Sequence, residues 1–255
     1  MSDNITLLVD ASIVILLLVI GAMIIKRFYQ ENFAVKKSKN GKKKKAKKAK
    51  KVKKTKTDAD KILEMRPIGW FDPKKFNVNT GIWENKVPNG TPVYTSNCNK
   101  AYDGTHVYGT TNSTIWNVPW PSYSDYTFIH IAKYNGGSRG RIWNGIGSNW
   151  LSGFWGNSVS FYHEGWFDNN IGVSNGGNDW LLTVDRRNHV RVNRGQYQKY
   201  GPNHSPQSVG VNRNYEYSDF AISEFLIFDR ILSDQEYEFI ENYLTKKYNL
   251  PFYRS

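Results

Sequence analysis

Cysteine and histidine are scarce in this 255-residue sequence, which contains one cysteine, Cys98, and five scattered histidines. A single cysteine cannot form an intramolecular disulfide, so the disulfide frameworks of small secreted domains are excluded. The same scarcity agrees with a reducing, cytoplasmic environment. No Cys and His spacing typical of a zinc site is present, so we predict neither a metal nor any other cofactor.

Charged side chains are nearly absent from residues 5–25, a run of 21 residues in which Asp10 is the only one. This length is sufficient to cross a hydrocarbon core of about 30 Å as a helix, so we predict a transmembrane helix there. Residues 1–4 contain no Lys or Arg, whereas Lys26 and Arg27 follow the run directly. The pattern favours a permanent anchor over a cleaved signal peptide. By the positive-inside rule, residues 1–4 form a short non-cytoplasmic tail and the rest of the chain is cytoplasmic.

The formal net charge of +13 lies wholly in residues 1–56, which contain sixteen basic and three acidic side chains. Most of it belongs to a lysine tract within residues 26–61, a segment that we predict to be an extended, solvated linker. Directly after a membrane span, such a tract suits anionic lipid or an acidic protein surface, and a passive spacer is the alternative. Nucleic acid is disfavoured because the tract has no aromatic side chain for base stacking. The candidate contact residues are Lys42, Lys43, Lys44, Lys45, Lys47, Lys48, Lys50 and Lys51.

Residues 62–255 have a net charge near zero, and the segment is long enough to form one domain with a full hydrophobic core. Short apolar or alternating runs, separated by Gly, Asn, Asp and Pro clusters, predict many strands with no helices between them. This arrangement favours an all-β fold, a two-sheet jelly-roll sandwich, over an α/β fold. The predicted strands are Val107–Tyr108, Tyr126–Tyr134, Arg141–Trp143, Val159–His163, Trp180–Val184, His189–Val192 and Asp219–Phe228.

One helix is predicted near the C-terminal end of the sequence. Ser233 and Glu236 form a capping box, and Pro251 ends the helical pattern. We expect the apolar stripe of this helix to pack on its own domain, with docking of a partner as the alternative. The stripe consists of Tyr237, Ile240, Leu244 and Tyr248.

Two parts of the sequence carry a family resemblance. The segment 224–248, EFLIFDRILSDQEYEFIENYLTKKY, resembles the closing strand and helix of concanavalin A-like lectin/glucanase domains of the laminin-G type. A central block is similar to a subgroup of membrane-anchored virion proteins of large DNA viruses. Together the two parts cover most of residues 62–255, and the resemblance implies the same jelly-roll sandwich. The central block consists of Tyr126-Thr-Phe, Arg139-Gly-Arg141-Ile, Asn149–Trp155 and His163-Glu-Gly-Trp166.

Catalytic members of this superfamily carry a Glu-x-Asp-x-x-Glu strand, which supplies the acid and the nucleophile. No such triplet occurs here, so the resemblance implies no hydrolase, and we predict that the chain is not an enzyme. In the set of acidic residues that most resembles this triplet, the first two carboxylates are three residues apart and would lie on opposite sides of a strand. That set is Glu216, Asp219 and Glu224, and a second set, interrupted by Gly165, is His163, Glu164 and Asp168.

Tryptophans placed among Gly and Asn residues are candidates for stacking on sugars, although aromatic side chains also fill sandwich cores. The sequence therefore offers a set of candidate carbohydrate-binding residues. They are Trp150, Trp155, His163 and Trp166. Asp103 and Asp179 lie in loops suited to calcium but do not specify a site.

The sequence thus predicts a non-enzymatic, single-pass membrane protein whose C-terminal domain lies on the cytoplasmic side. The leading hypothesis is a minor capsid or virion membrane protein that links an internal membrane to capsid proteins of a large DNA virus. The alternative, from a different functional class, is a membrane-tethered, lectin-like module that binds a glycan.

Overall fold

The computed structural model describes residues 55–213 and 216–251, together with Met23, Lys26 and Arg27. The predicted transmembrane helix over residues 5–25 lies outside this part of the chain, apart from Met23, and so does most of the predicted linker. In the part that is described, no helix combines the length and the apolar character needed to cross a membrane. The fold described below is that of one compact unit, Lys56–Ser255.

The described residues form seventeen β-strands, arranged as two sheets that pack face to face. The first sheet contains β1 (Gly69–Phe71), β5 (Asn99–Lys100), β6 (Val107–Gly109), β8 (Thr127–Arg139), β13 (Leu181–Arg186), β14 (His189–Val192), β15 (Tyr197–Tyr200) and β17 (Ser218–Phe228). The second sheet contains β2 (Phe76–Asn77), β3 (Ile82–Trp83), β4 (Val93–Ser96), β7 (Thr114–Trp116), β9 (Trp143–Ile146), β10 (Trp150–Ser152), β11 (Val159–His163), β12 (Trp166–Ile171) and β16 (Ser208–Val211).

Neighbouring strands are antiparallel throughout the described part of both sheets. The first sheet has the order β15-β14-β13-β8-β17-β6-β5, and β1 pairs with the end of β17. The second sheet has the order β12-β11-β10-β9-β16-β7-β4-β3-β2. The predicted all-β sandwich with a C-terminal helix is therefore confirmed at the level of its two antiparallel sheets.

The two long central strands of the first sheet, β8 and β17, are buried on both faces. Phe128 and Ala132 of β8 point into the core between the sheets, whereas Ile129 and Ile131 point to the opposite face. That second face is covered by helices, so apolar side chains point to both faces of these strands. This explains why apolar residues are adjacent at positions 128–129 and 131–132 instead of strictly alternating with polar ones.

Two helices cover the outer face of the first sheet. Helix α1 (Asp58–Glu64) spans the predicted boundary between linker and domain at residues 61 and 62. Helix α2 (Asp234–Tyr248) is the predicted C-terminal helix. Its capping box is formed as expected, because Ser233 Oγ accepts from the Glu236 amide and Glu236 accepts in return from the Ser233 amide at 2.9 Å. The apolar stripe of α2 packs on its own domain, in agreement with the prediction.

A buried ionic cluster holds the C-terminal end of α2 against the first sheet. Glu224 of β17 has no exposed surface and accepts hydrogen bonds from Trp70 Nε1, Lys247 Nζ and, at 2.5 Å, Tyr248 OH. Lys247 Nζ also lies 2.7 Å from Asp72. Burial alone lowers the pKa of Lys247, but Glu224 and Asp72 outweigh it, so the net shift of the pKa is upward. The cluster therefore joins the helix to both β17 and the segment after β1.

Candidate functional site

The four residues predicted to bind carbohydrate separate into two pairs. Trp150 and His163 are neighbours across β10 and β11, and neither has exposed surface. Their rings stack in the core between the sheets, with centroids 5.4 Å apart and planes inclined by 20°. Buried rings offer no face to an external ligand, so only Trp155 and Trp166 remain candidates for contact with a sugar.

Trp150 and His163 instead belong to a buried hydrogen-bond network that joins the two sheets. Trp150 Nε1 donates to Tyr126 OH at 3.0 Å, and this hydroxyl donates to Asp185 Oδ1 at 3.0 Å. His163 Nε2 lies 3.1 Å from Asp185 Oδ2, and its Nδ1 lies 2.8 Å from the Arg187 carbonyl oxygen. Both ring nitrogens of His163 therefore lie within hydrogen-bond distance of an oxygen atom. Burial raises the pKa of Tyr126 well above its usual value, which keeps this phenol a donor.

Trp155 and Trp166 come together on the outward face of the second sheet. Trp166 is 44% exposed, and its ring centroid lies 5.3 Å from that of Trp155 and 4.9 Å from that of Tyr162. Tyr162 and Trp166 are cross-strand neighbours, whereas the adjacent residues Phe161 and Phe167 point into the core. We refer to Trp155, Tyr162 and Trp166 as the aromatic face.

Polar side chains border the aromatic face on one side. Glu216 accepts from Trp155 Nε1 at 3.3 Å and forms an ion pair with Arg141. Arg141 Nη1 donates to Asn149 Oδ1 at 2.7 Å, and the Asn149 amide donates to Glu164 Oε1 at 2.6 Å. Charged and amide groups are therefore fixed beside exposed aromatic rings. Such a combination can contact the apolar side of a sugar ring and its hydroxyls together.

The carboxylates considered as hydrolase candidates bind different structural partners. Asp168 accepts from Tyr197 OH at 3.3 Å, and Asp219 accepts from the amides of residues 111 and 138. Glu224 is buried beneath α2, while Glu164 and Glu216 hold the groups beside the aromatic face. Hydrolysis by acid and nucleophile requires two carboxylates on either side of one scissile bond. Within the described residues, no two of these five carboxylates share a hydrogen-bond partner.

The remaining sequence candidates lie apart from the aromatic face. Asp103 accepts hydrogen bonds from the amide and hydroxyl of Thr105 in its own turn. Over residues 55–213 and 216–251, no group of three or more His, Cys, Asp and Glu is placed to hold a metal ion. Cys98 is buried, and burial raises the pKa of its thiol to about 12. The candidate lysines at positions 42–51 lie outside the described residues.

No protein-family model matches the sequence, and no curated protein matches it either. Several solved structures resemble the fold. Trypanosoma rangeli sialidase in complex with 2,3-difluorosialic acid aligns at 10% identity and a TM-score of 0.50, over 71% of this chain and 33% of that chain. The binding domain of Paraclostridial Mosquitocidal Protein 1 aligns at 12% identity and a TM-score of 0.50, over 71% and 53%.

A third structure, the botulinum neurotoxin serotype D binding domain, aligns at 12% identity and a TM-score of 0.48, over 69% and 51%. The chain thus spans about a third of the sialidase and about half of each toxin binding domain. The likeness is one of fold. It agrees with the predicted two-sheet β-sandwich at the level of overall architecture.

Proposed function

We propose that this chain is a carbohydrate-binding, lectin-like module and that the aromatic face is its glycan site. The observation behind the proposal is the cluster of three aromatic rings on the outward face of the second sheet. Trp166 is 44% exposed there, and Trp155 and Tyr162 are partly exposed. Exposed aromatic clusters bordered by polar groups are typical of interaction sites rather than of free surface.

The chemistry of the aromatic face suits a sugar better than a purely apolar ligand. The rings of Trp166 and Tyr162 pack nearly edge to face, with an interplanar angle of 75°. Their faces therefore point in different directions. The side chains of Arg141 and Glu216 are paired with each other and held by further hydrogen bonds. Groups that are already fixed lose little side-chain entropy when they bind hydroxyls, which favours affinity.

The fold likeness supports the proposal only in a general way. One of the similar structures is described as the binding domain of Paraclostridial Mosquitocidal Protein 1, and another is a sialidase in complex with 2,3-difluorosialic acid. A fold of this kind therefore occurs in a binding domain and within a protein that acts on a sugar.

A glycan array probed with the full-length protein in detergent micelles tests the proposal. We expect Trp166→Ala to weaken binding of at least one of the glycans found by ~5-fold or more, since a stacked aromatic ring contributes on the order of 1 kcal/mol. Tyr102→Ala is the matched control, because Tyr102 is fully exposed in a loop away from the aromatic face. Failure of the wild-type protein to bind any glycan, or equal binding of every glycan by Trp166→Ala, would contradict the proposal.

A structural role at a viral membrane is the second candidate function. It rests on the sequence of residues 1–56, where an apolar run precedes the lysine tract. We propose on this basis that residues 5–25 anchor the protein, with residues 62–255 on the cytoplasmic, capsid-facing side. Protease protection on intact membranes tests the orientation, and absence of the protein from purified particles would rule out the virion role.

A further inference from the structure

A polar cleft lies on the outer face of the first sheet, beside α2. It consists of two adjoining cavities of about 360 and 590 Å³, which share Asn193, Gln196 and Pro251 as lining residues. The walls come from the segment 174–180, from the turn after β14 and from α2. The aromatic face belongs to the second sheet, so the cleft lies on the opposite side of the sandwich.

The side chain of Asn193 joins the segments that line the cleft through hydrogen bonds. It is 4% exposed, and its Oδ1 accepts from the Leu182 amide at 3.1 Å. Its Nδ2 donates to Ser174 Oγ at 3.0 Å and to Gln196 Oε1 at 3.1 Å, so one amide joins both turns that line the cleft. Arg194 follows it in the left-handed region, with φ of 59°. Non-glycine residues in this region are held there by their surroundings, here by the hydrogen bonds of Asn193.

The two arginines of the larger cavity differ in how they are bound. Arg191 donates from Nε to Glu241 at 3.2 Å and from Nη1 to Gln198 at 3.2 Å. The guanidinium of Arg194 forms no hydrogen bond or ion pair with any residue that the structure describes, although its charge acts on Glu241, whose pKa it lowers against the effect of burial. It nevertheless lines the cavity and is only partly exposed. An unpaired guanidinium in a concave site matches a carboxylate, which it can bind through two parallel N–H donors.

Neutral amides and one aromatic ring line the cleft together with further charged side chains, namely Lys133, Asp179, Glu238 and Glu241. The last two carboxylates pair with Arg191. Trp180 is half-buried and borders the smaller cavity, where it supplies an apolar wall. Gln196 uses only its Oε1 toward Asn193, and in the described structure the amides of Asn175 and Asn242 bind no neighbour. Side-chain amides both donate and accept, as hydroxyl groups require. The polar lining disfavours an apolar ligand.

We propose that this cleft binds a saccharide that carries a carboxylate, with Arg194 as the carboxylate partner. The amides of Gln196 and Asn242 contact the hydroxyls, and Trp180 contacts the apolar side of the sugar. The site is separate from the aromatic face, so the module has two binding sites on opposite faces of the sandwich. The two sites share no residue.

Ligand-observed NMR titration of the full-length protein in detergent micelles tests this site, with D-glucuronate and D-glucose as probes. We expect glucuronate to bind ~10-fold more tightly than glucose, because a charge-assisted bidentate contact favours the carboxylate. Arg194→Gln should remove this difference. Arg66→Gln is the control, since Arg66 is also left-handed, with φ of 61°, but is exposed and lies outside the cleft.

Two further variants make the outcome specific. Asn242→Ala changes an exposed position of α2 and should weaken the binding of both probes, whereas Trp166→Ala should leave both unchanged. Loss of glucuronate binding in Trp166→Ala would assign the ligand to the aromatic face and overturn the second site. Equal affinity for the two probes, unchanged binding by Arg194→Gln, or no binding of either probe would also overturn it.

Discussion

Replacing Lys247 with methionine is expected to lower the free energy of unfolding by about 3 kcal/mol. Lys247 is a main partner of Glu224, whose carboxylate has no exposed surface. Removing one partner of a buried ion pair leaves an uncompensated charge, which costs about 3–5 kcal/mol. Methionine retains an unbranched apolar side chain, so lost packing should contribute little.

The structure indicates that the loss of stability in Lys247→Met lies at the lower end of this range. In the variant, Glu224 would still accept from Trp70 Nε1 and Tyr248 OH. Lys86 also remains nearby, 3.6 Å above the Trp70 ring, where its charge partly offsets that of the carboxylate. These three groups reduce the cost of leaving Glu224 charged but do not replace the direct contact with the lysine.

Urea unfolding of the full-length protein, followed by tryptophan fluorescence at neutral pH, measures the effect. Lys199→Met is the control, because Lys199 pairs with Asp168 at 3.5 Å through side chains that are 47% and 44% exposed. Such a surface pair contributes about 0–1 kcal/mol. Adding Glu224→Gln to Lys247→Met should recover part of the loss. A loss below about 1 kcal/mol in the single variant would refute the reasoning.

Two further predictions concern buried titratable groups. Burial and the adjacent Arg186 guanidinium lower the pKa of His189 to about 4 from the usual 6.5, and burial lowers the pKa of His130 to about 3. Each neutral ring therefore contributes to the free energy of unfolding above pH 6.5, and this contribution is lost as the pH falls toward the lowered pKa. The loss is at most about 1.4 kcal/mol per pH unit for each histidine. Urea titrations over this range should show a shallower slope for His189→Gln than for the wild-type protein, and equal slopes would count against the assignment. Because burial raises the pKa of Cys98 to about 12, the folded protein should react with iodoacetamide far more slowly than the urea-unfolded protein. Equal labelling rates for the folded and unfolded protein would contradict this second prediction.

Local signals in the sequence were sufficient for the long elements of the fold. The capping box at Ser233 and the apolar stripe after it predict α2 because both depend only on neighbouring residues. The runs that became β8 and β17 were visible for the same reason. In contrast, β2 and β3 are two residues each, so they exist only through pairing with other strands, which a single sequence does not display.

The candidate site was predicted less completely, although part of the missing information was present. In β11, Val159 and Phe161 alternate inward, so the period of two places His163 in the core and Tyr162 outside. Applied to this strand, the rule identifies Tyr162 as a surface aromatic. The inward position of Trp150 depends on strand pairing. The approach of Glu216 to Trp155 depends on segments distant in the sequence, and no local pattern shows either.

The edges of the two sheets have a consequence for behaviour at high local concentration. The outer strands at one side, β2 and β5, are two residues long, and Lys100 Nζ of β5 donates to the Phe76 carbonyl oxygen of β2 at 2.8 Å. At the other side, Tyr197 and Lys199 of β15 both reach Asp168 of β12. Edge strands that are short, or whose polar side chains bind the neighbouring edge strand, resist pairing with a strand of another copy. Many copies of this domain can therefore be crowded onto one surface without joining edge to edge into continuous sheets.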